Sequence, residues 1–116
     1  MIKHIKPGPR LSGATVHNGI VYVSGQVPDT AYVDVGTQTK EILAKLDGLL
    51  AAAGTDKSKI LNASIWLSDI ATFDEMNKPW EAWIAPGPAP ARATVEARIA
   101  NPKYRVEIAV IAAVGT

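Results

Sequence analysis

The stretch PAPARATVEARIANPKYRVEIAVIAA, residues 88–113, decides the fold that the sequence predicts. Its two halves are rich in small and β-branched apolar residues, and they flank the turn-forming pair Asn101-Pro102. This pattern predicts a hairpin of two strands, over residues 91–99 and 104–113. In the first strand, apolar residues hold the odd positions and mostly polar ones the even positions, so we expect the odd face to lie under a layer of helices.

Arg92 is the residue of this hairpin that needs a partner. In the predicted pairing it lies opposite Ala109, Ile111 or Ala113, depending on the length of the turn, and none of these is acidic. A charged side chain on a covered face requires a compensating group, and a guanidinium binds a carboxylate through two parallel hydrogen bonds. Two interpretations stay open: Arg92 binds an anionic ligand, or it pairs with a carboxylate from another segment.

The second strand of the hairpin is apolar on both faces over its far half. Val106, Ile108 and Val110 point one way, while Ala109 and Ile111 point the other. A two-layer monomer would leave that second face in water. We therefore expect another copy of the chain to cover it.

The rest of the chain predicts two strands, a helix, a strand and a second helix. The first two strands, 11–16 and 19–26, join at an Asn18-Gly19 turn. Apolar residues then recur every three or four positions over 35–53, and with a period of two over 60–68. The second helix is expected from a capping box at 72–75 to about residue 84. The order β-β-α-β-α-β-β predicts an α+β sheet with both helices on one face.

Composition narrows the possible functions. The 116 residues are enough for a single domain, 1–116, and the net charge of +1 gives no support for binding nucleic acid or a membrane. There is no cysteine, and the two histidines, His4 and His17, are not in a metal-ligand spacing. No apolar stretch reaches membrane-spanning length, and the N-terminus lacks a signal-peptide pattern, so a cytoplasmic location is expected.

Four motifs together resemble the RidA family, the reactive intermediate deaminases. They are GPRLSG at 8–13, VSGQVP at 23–28, PAR-x-x-VE at 90–96 and VEI-x-x-IA at 106–112. HNGIVYVSGQVP, MNKPWEAW and NPKYRVEI are most similar to a YoaB-like branch. The resemblance implies a chorismate-mutase-like fold and a homotrimeric barrel with ligand clefts between subunits. It also implies hydrolysis of enamines and imines, such as 2-aminoacrylate and 2-iminobutyrate, to 2-keto acids and ammonia, without a cofactor or metal.

The resemblance also implies the site residues. It places the family's carboxylate-binding arginine on Arg92, and three positions depart from the founding deaminases, which carry tyrosine at Arg10, cysteine at Thr94 and a second glutamate at Ala109. The predicted catalytic residues are Arg92 and Glu107. The predicted substrate-binding residues are Arg10, Ser24, Gly25, Asn77, Arg92 and Thr94.

Three functions follow from these residues. The first is hydrolysis of a reactive imine whose carboxylate is held by Arg92. The second is a trimeric protein that binds or senses small carboxylates without turnover, in which Arg10 beside Arg92 would suit a dianion. RNA cleavage, which has also been attached to the family, is disfavoured by the near-neutral charge and by the lack of a histidine pair for acid-base chemistry.

Overall fold

The structure is a computed structural model that describes residues 1–115. One mixed sheet carries two helices on one face, and two short 3-10 turns, Lys57–Lys59 and Ile70–Thr72, precede β4 and α2. The elements are β1 (Lys3–Pro7), β2 (Ser12–His17), β3 (Ile20–Gln26), α1 (Val35–Ala52), β4 (Ile60–Leu67), α2 (Phe73–Ile84), β5 (Ala91–Glu96) and β6 (Val106–Ala113). β1 was not predicted, because its two lysines and Pro7 hide the strand pattern of so short a segment.

The sheet order is β1-β2-β3-β6-β4-β5, and this order corrects the predicted hairpin. β5 pairs with β4, and the two strands are parallel, whereas β6 lies between β3 and β4 and is antiparallel to both. The reason is that α2 forms a crossover, which returns the chain to the start of β4. The connection over residues 97–105 then carries the chain across β4 to the position of β6.

The parallel pairing also corrects the predicted faces of β5. Arg92 pairs with Ala63 and Thr94 with Ile65, and both partners are buried under the helices. Arg92 and Thr94 therefore share the helix-covered face, whereas Val95 is 49% exposed on the opposite face. Alternation alone gave the wrong face because the small alanines of β5 look like core residues.

Hydrophobic burial joins the sheet to the helices. α1 buries a stripe of residues at helical spacing, which includes Ile42, Leu46 and Leu50, against the alternate buried residues of the strands. Asp34 is the N-cap of α1, because its carboxylate accepts a hydrogen bond from the backbone amide of Thr37. The predicted β2–β3 hairpin is confirmed, since Asn18 and Gly19 both have the positive φ that a type I′ turn requires.

The start of α2 differs from the predicted capping box. Thr72 makes no side-chain capping bond, because its hydroxyl donates to the carbonyl of Asp69 at 2.7 Å. The carboxylate of Glu75 instead accepts a hydrogen bond from the amide of Gly36 at the start of α1, at 3.3 Å. The two helix N-termini are thus tied to each other.

The face of the sheet away from the helices, called the open face below, carries apolar side chains. Tyr22 on β3 and Val95 on β5 are each about half exposed, and Ile111 on β6 lies between β3 and β4 on the same face.

Neither described helix is long and apolar enough to cross a membrane.

Candidate functional site

Arg92 lies on β5 beneath α2, where it contacts one amide and two aromatic rings. Its Nη1 donates to Asn77 Oδ1 at 2.8 Å. Its Cζ lies 5.6 Å from the ring centroids of both Phe73 and Trp80. Residues 73, 77 and 80 recur at helical spacing, so they project from α2 on one stripe toward β5. The amide and the rings fix the guanidinium without neutralising it.

The electrostatics leave Arg92 as a cation without a direct counterion. Burial lowers the pKa of the Arg92 guanidinium, and the negative charge of Glu81 opposes that effect. The group still carries its charge at physiological pH. Among residues 1–115, Lys45 Nζ and an Asp29 carboxylate oxygen form an ion pair with a distance below 4.0 Å. No carboxylate oxygen of these residues lies within 4.0 Å of the Arg92 guanidinium nitrogens. The remaining N–H groups of Arg92 can therefore bind an anion.

Thr94 is the next residue of β5 on the same face. Its hydroxyl oxygen is buried and has no hydrogen-bond partner among the described residues. A buried hydroxyl in this state costs free energy unless a ligand or a water molecule bonds to it. The structure therefore places an unsatisfied hydroxyl two residues along the strand from Arg92, on the same face of the sheet.

A second cluster lies on the open face, around a bulge in β3. Val23 pairs with Val110 and Gln26 pairs with Ile108. Between these two pairs β3 has two residues, Ser24 and Gly25, whereas β6 has only Ala109, and this difference is the bulge. The hydroxyl of Ser24 donates to the carbonyl of Ser12 at 2.5 Å, so it is anchored to β2. The Glu107 carboxylate lies over Gly25, and a Cβ at position 25 would overlap Glu107 Oε2 and come within 3.0 Å of its Cδ.

Glu107 is held in a setting that favours its neutral form. Burial raises the pKa of its carboxyl above the ordinary value of 4.5, and no hydrogen bond joins it to another described residue. With Trp66 and Arg98 it lines a cavity of about 210 Å³. A carboxyl with a raised pKa beside a cavity is suited to accept or release a proton.

Arg10 lies in the exposed turn between β1 and β2. Four strand spacings separate β2 from β5, and neighbouring strands lie about 4.8 Å apart, so Arg10 is roughly 19 Å from Arg92 across the sheet. One chain therefore cannot place both arginines on the same small ligand. The predicted placement of Arg10 beside Arg92 at one ligand is therefore possible only if the two arginines come from different subunits.

The predicted site residues thus form two half-sites and one outlier. The Arg92 half-site, with Asn77 and Thr94, faces the helices. The Glu107 half-site, with Ser24 and Gly25, lies on the open face. Within the described residues, no three histidine, aspartate or glutamate side chains cluster as metal ligands would.

Sequence reasoning missed the aromatic neighbours of Arg92. Their apolar character and helical spacing make Phe73 and Trp80 resemble core residues of α2. Trp80 is 3% exposed, as in a core, but Phe73 is 37% exposed. The signal that could have identified them is their spacing from Asn77, four residues before and three after. That spacing places all three on the helix stripe that meets Arg92.

Comparison with known proteins identifies the family. A family model described as Endoribonuclease L-PSP matches residues 1–114. A RutC family protein of Haemophilus ducreyi is 45% identical over 114 residues, which cover 98% of this chain and 97% of that protein. The RutC family protein YoaB of Escherichia coli is 44% identical over 113 residues, which cover 97% and 98%. The chain belongs to the YjgF/RidA family.

The same conclusion holds in three dimensions. A YjgF family protein from Neisseria meningitidis has a crystal structure that matches this one with a TM-score of 0.96 at 42% identity, covering 100% of this chain and 97% of that one. The predicted RidA membership with YoaB-like relatives and the chorismate-mutase-like α+β fold are confirmed. Yeast Mmf1, 21% identical with a TM-score of 0.91, shares the fold.

Proposed function

We propose that this protein hydrolyses reactive enamines and imines of the 2-aminoacrylate and 2-iminobutyrate class to 2-keto acids and ammonia. The observation that supports this most directly is the Arg92 guanidinium, which is fixed by Asn77 and two rings and has no carboxylate within 4.0 Å among the described residues. Such a group is suited to bind the carboxylate that every member of this substrate class carries.

In the proposed reaction, water adds to the imine carbon and ammonia leaves. The water oxygen forms a bond to the carbon and gives up a proton to Glu107, which yields a tetrahedral aminoalcohol. Glu107 then returns that proton to the nitrogen, and the C–N bond breaks while the hydroxyl gives its proton to Glu107 and becomes the keto group. Glu107 passes this last proton to the released ammonia, which leaves as ammonium. An enamine enters the same sequence after it takes a proton from water at its terminal carbon and becomes the protonated imine. A protonated imine is already electrophilic, so the protein contributes mainly by holding the substrate and positioning the water.

The two half-sites require more than one subunit in this proposal, and the family resemblance implies three. Arg92 and Glu107 lie on opposite faces of one sheet, so a substrate of a few atoms can reach both only in a cleft between two subunits. The apolar open face supports the same assembly, because an exposed contiguous apolar surface favours association. In such a cleft Arg10 or Ser24 of one subunit can approach Arg92 of another.

We expect sedimentation equilibrium at micromolar concentration to give three times the chain mass of 12.3 kDa. The physical reason is burial of the open face, which removes Tyr22 and Val95 from water. A charged substitution on that face, Val95→Glu, should dissociate the assembly, while Ile2→Glu, at a similarly exposed apolar residue before β1, should not. A 12.3 kDa species for the unmodified protein would contradict intersubunit clefts.

The direct test couples the protein to a pyridoxal-phosphate dehydratase and follows the release of ammonia and 2-keto acid. We expect the protein to accelerate release above the spontaneous rate in the same mixture. Tight binding of small carboxylates with no acceleration would instead favour the alternative function, a small-carboxylate binding or sensing protein. The replacement of the founding members' glutamate by Ala109 is the feature that would explain this outcome.

Glu107→Gln is expected to lower kcat about tenfold, which is less than a general base usually contributes because the imine is already activated. Activity of the unmodified protein should fall as pH drops through the raised pKa of Glu107, since the proton acceptor is then occupied. The folded state also holds this proton more tightly than the unfolded state, so the contribution of Glu107 to stability should rise as pH falls through the same range. Asp34, Glu41 and Asp56, whose pKa values are lowered by hydrogen bonds, contribute in the opposite direction. A pH-rate profile checks the first effect, and this fall in activity should be absent in Glu107→Gln. The difference in pH-dependent melting between the unmodified protein and Glu107→Gln checks the second effect, because the other carboxyl groups contribute equally to both proteins.

Gly25→Ala provides a second variant that moves Glu107 without removing it. The new Cβ overlaps the end of a flexible side chain, so the carboxylate should swing away at little cost in stability. Gly48→Ala is the matched control, because nothing lies within 4 Å of a Cβ there, and alanine should stabilise α1 by up to about 1 kcal/mol. Full activity in both glycine variants would show that the position of Glu107 does not matter.

A further inference from the structure

A cavity of about 640 Å³ lies at the end of β5, beside the connection over residues 97–105. Its volume is within the range of about 300–1,000 Å³ that is typical of small-molecule sites. Its lining includes Ser68, Glu96, Arg98, Ile99, Asn101 and Tyr104, and it is called the connection cavity below. Arg98 also lines the smaller cavity beside Glu107, but neither Glu107 nor Trp66 lines the connection cavity. The proposed imine hydrolysis therefore leaves this cavity without a role.

Two opposite charges line the connection cavity without pairing with each other. Glu96 and Arg98 are two residues apart in the chain, and no guanidinium nitrogen of Arg98 lies within 4.0 Å of a Glu96 carboxylate oxygen. Among residues 1–115, neither of them forms an ion pair of this length with another side chain. Each charge is therefore available to a ligand.

The fold holds these two residues in place. The amide of Ala97, which lies between them, donates to the carbonyl of Leu67 at 2.9 Å, so β5 stays attached to β4 one residue beyond its end. Glu96 Oε1 accepts a hydrogen bond from the amide of Ile70 at 3.0 Å, while Oε2 has no such bond to another described residue. The carboxylate is thus oriented before a ligand arrives, which lowers the entropic cost of binding.

The opposite wall of the connection cavity is a turn with its own hydrogen bonds. The carbonyl of Asn101 accepts from the amide of Tyr104, and Asn101 Oδ1 accepts from the amide of Lys103, each at 3.0 Å. The end of this turn is tied to the end of β4, because the amide of Ser68 donates to the carbonyl of Arg105 at 3.0 Å. The cavity is therefore preformed on both sides.

We propose that the connection cavity binds free α-amino acids with an apolar side chain, as a second ligand site separate from Arg92. The ammonium group of the amino acid contacts Glu96 and its carboxylate contacts Arg98, so each protein charge meets an opposite charge. Ile99, which is 6% exposed, and the half-buried Tyr104 give the side chain an apolar surface. A simple amine or carboxylate satisfies only one of the two protein charges, whereas an amino acid satisfies both.

Calorimetric titration with three compounds of related carbon skeleton tests the proposal. L-leucine carries both charges, 4-methylpentanoate lacks the ammonium group, and 3-methylbutylamine lacks the carboxylate. The titrations use the unmodified protein and Arg92→Ala, because the variant removes the proposed carboxylate site. In Arg92→Ala we expect L-leucine to bind at least about tenfold more tightly than either analogue, since a hydrogen bond to a charged group contributes at least this factor.

Two variants remove one charge each from the connection cavity. Glu96→Gln keeps an oxygen for the amide of Ile70 and loses the negative charge, and Arg98→Gln loses the positive charge. Each should weaken L-leucine about tenfold, while Glu96→Gln leaves the affinity for 4-methylpentanoate unchanged and Arg98→Gln leaves that for 3-methylbutylamine unchanged. Lys103→Gln is the matched control, because it removes a cation from the same connection that does not line the cavity, and it should leave L-leucine binding unchanged.

Equal affinity for the three compounds, or no binding of L-leucine at millimolar concentration, would overturn the inference. Binding of L-leucine that disappears in Arg92→Ala would place the amino acid at Arg92 and would overturn it as well. Dissociation of the assembly by Arg98→Gln would show that Arg98 is a subunit contact, with the same consequence. None of these results decides the proposed imine hydrolysis, which the coupled ammonia assay measures separately.

Discussion

Arg92→Ala is expected to weaken the binding of small carboxylates at least about 100-fold and to abolish imine hydrolysis. The guanidinium offers several fixed donors to one anion, and each charge-assisted hydrogen bond contributes about 1.5 to 3 kcal/mol. A 100-fold loss corresponds to about 2.7 kcal/mol, slightly less than two such bonds contribute at the low end of that range, so it is a lower bound on the expected effect. Titration with 2-oxobutyrate and the coupled ammonia assay measure the two losses separately.

The same variant should melt close to the unmodified protein. Arg92 contacts a neutral amide and two rings and has no ion pair within 4.0 Å among the described residues, so its removal leaves no buried carboxylate unpaired. An arginine that held the fold through a buried ion pair would instead cost roughly 3 to 5 kcal/mol. A large drop in Tm with carboxylate binding retained would contradict the ligand-binding role.

Two further variants sharpen this test. Arg92→Lys keeps the charge and loses the two-pronged geometry, so binding should weaken by about 1 to 3 kcal/mol. Lys78→Ala removes a positive charge from the exposed side of α2, next to Asn77, and should leave binding unchanged. Equal losses in Lys78→Ala and Arg92→Ala would mean that the overall charge of this face, and no specific contact, attracts the ligand.

The sequence correctly predicted that Arg92 has no acidic partner in its neighbouring strand, but the predicted neighbouring strand was the wrong one. The antiparallel hairpin put Arg92 opposite residues of the last strand, whereas Arg92 lies beside Ala63 in a parallel pair. Local turn signals identified Asn101-Pro102 as a chain reversal, and they carry no information about a strand that inserts between the two halves. That insertion depends on packing of α2 over the sheet, which is a long-range effect.

The Glu107 half-site was predictable only by resemblance. Ser24 and Gly25 lie more than 80 residues from Glu107 in the chain, and they meet because β3 and β6 are neighbours with a bulge at this point. No local pattern fixes the register of two strands so far apart. By contrast, the β2–β3 hairpin and α1 follow from short-range signals, a type I′ turn and a capped apolar stripe, and both were predicted within one or two residues.

Gln38 is a polar residue on the apolar stripe of α1, and the sequence analysis did not predict its role. It lies four and eight residues before Ile42 and Leu46, on the buried stripe of α1, and it is itself fully buried. Its Nε2 donates to the carbonyls of Thr30 and Lys103, each at 3.1 Å. Its Oε1 accepts from the amide of Arg105 at 2.7 Å.

Gln38 therefore joins the loop after β3 to the loop before β6. Thr30 belongs to the loop after β3, which follows the bulge at Gly25, and Lys103 belongs to the loop before β6, which lies close to Glu107 in the chain. Arg105 strengthens the same junction, since its guanidinium donates to the carbonyls of Tyr32 and Val33. One buried amide thus links the segment that follows β3 in the chain to the segment that precedes β6.

Gln38→Leu is accordingly expected to destabilise the protein by about 3 kcal/mol, because two backbone carbonyls and one amide lose a buried partner at once. Thr39→Val is the matched control: it is equally buried but loses one bond within its own helix, to the carbonyl of Val35, and should cost about 1 kcal/mol or less. Unfolding should be compared at one protomer concentration, because assembly contributes to stability. Amide hydrogen exchange should accelerate in residues 28–34 and 101–105 of Gln38→Leu alone, since those loops lose their common anchor. Equal stability losses in the two variants, with exchange unchanged in both loops, would show that the loops hold their positions without Gln38.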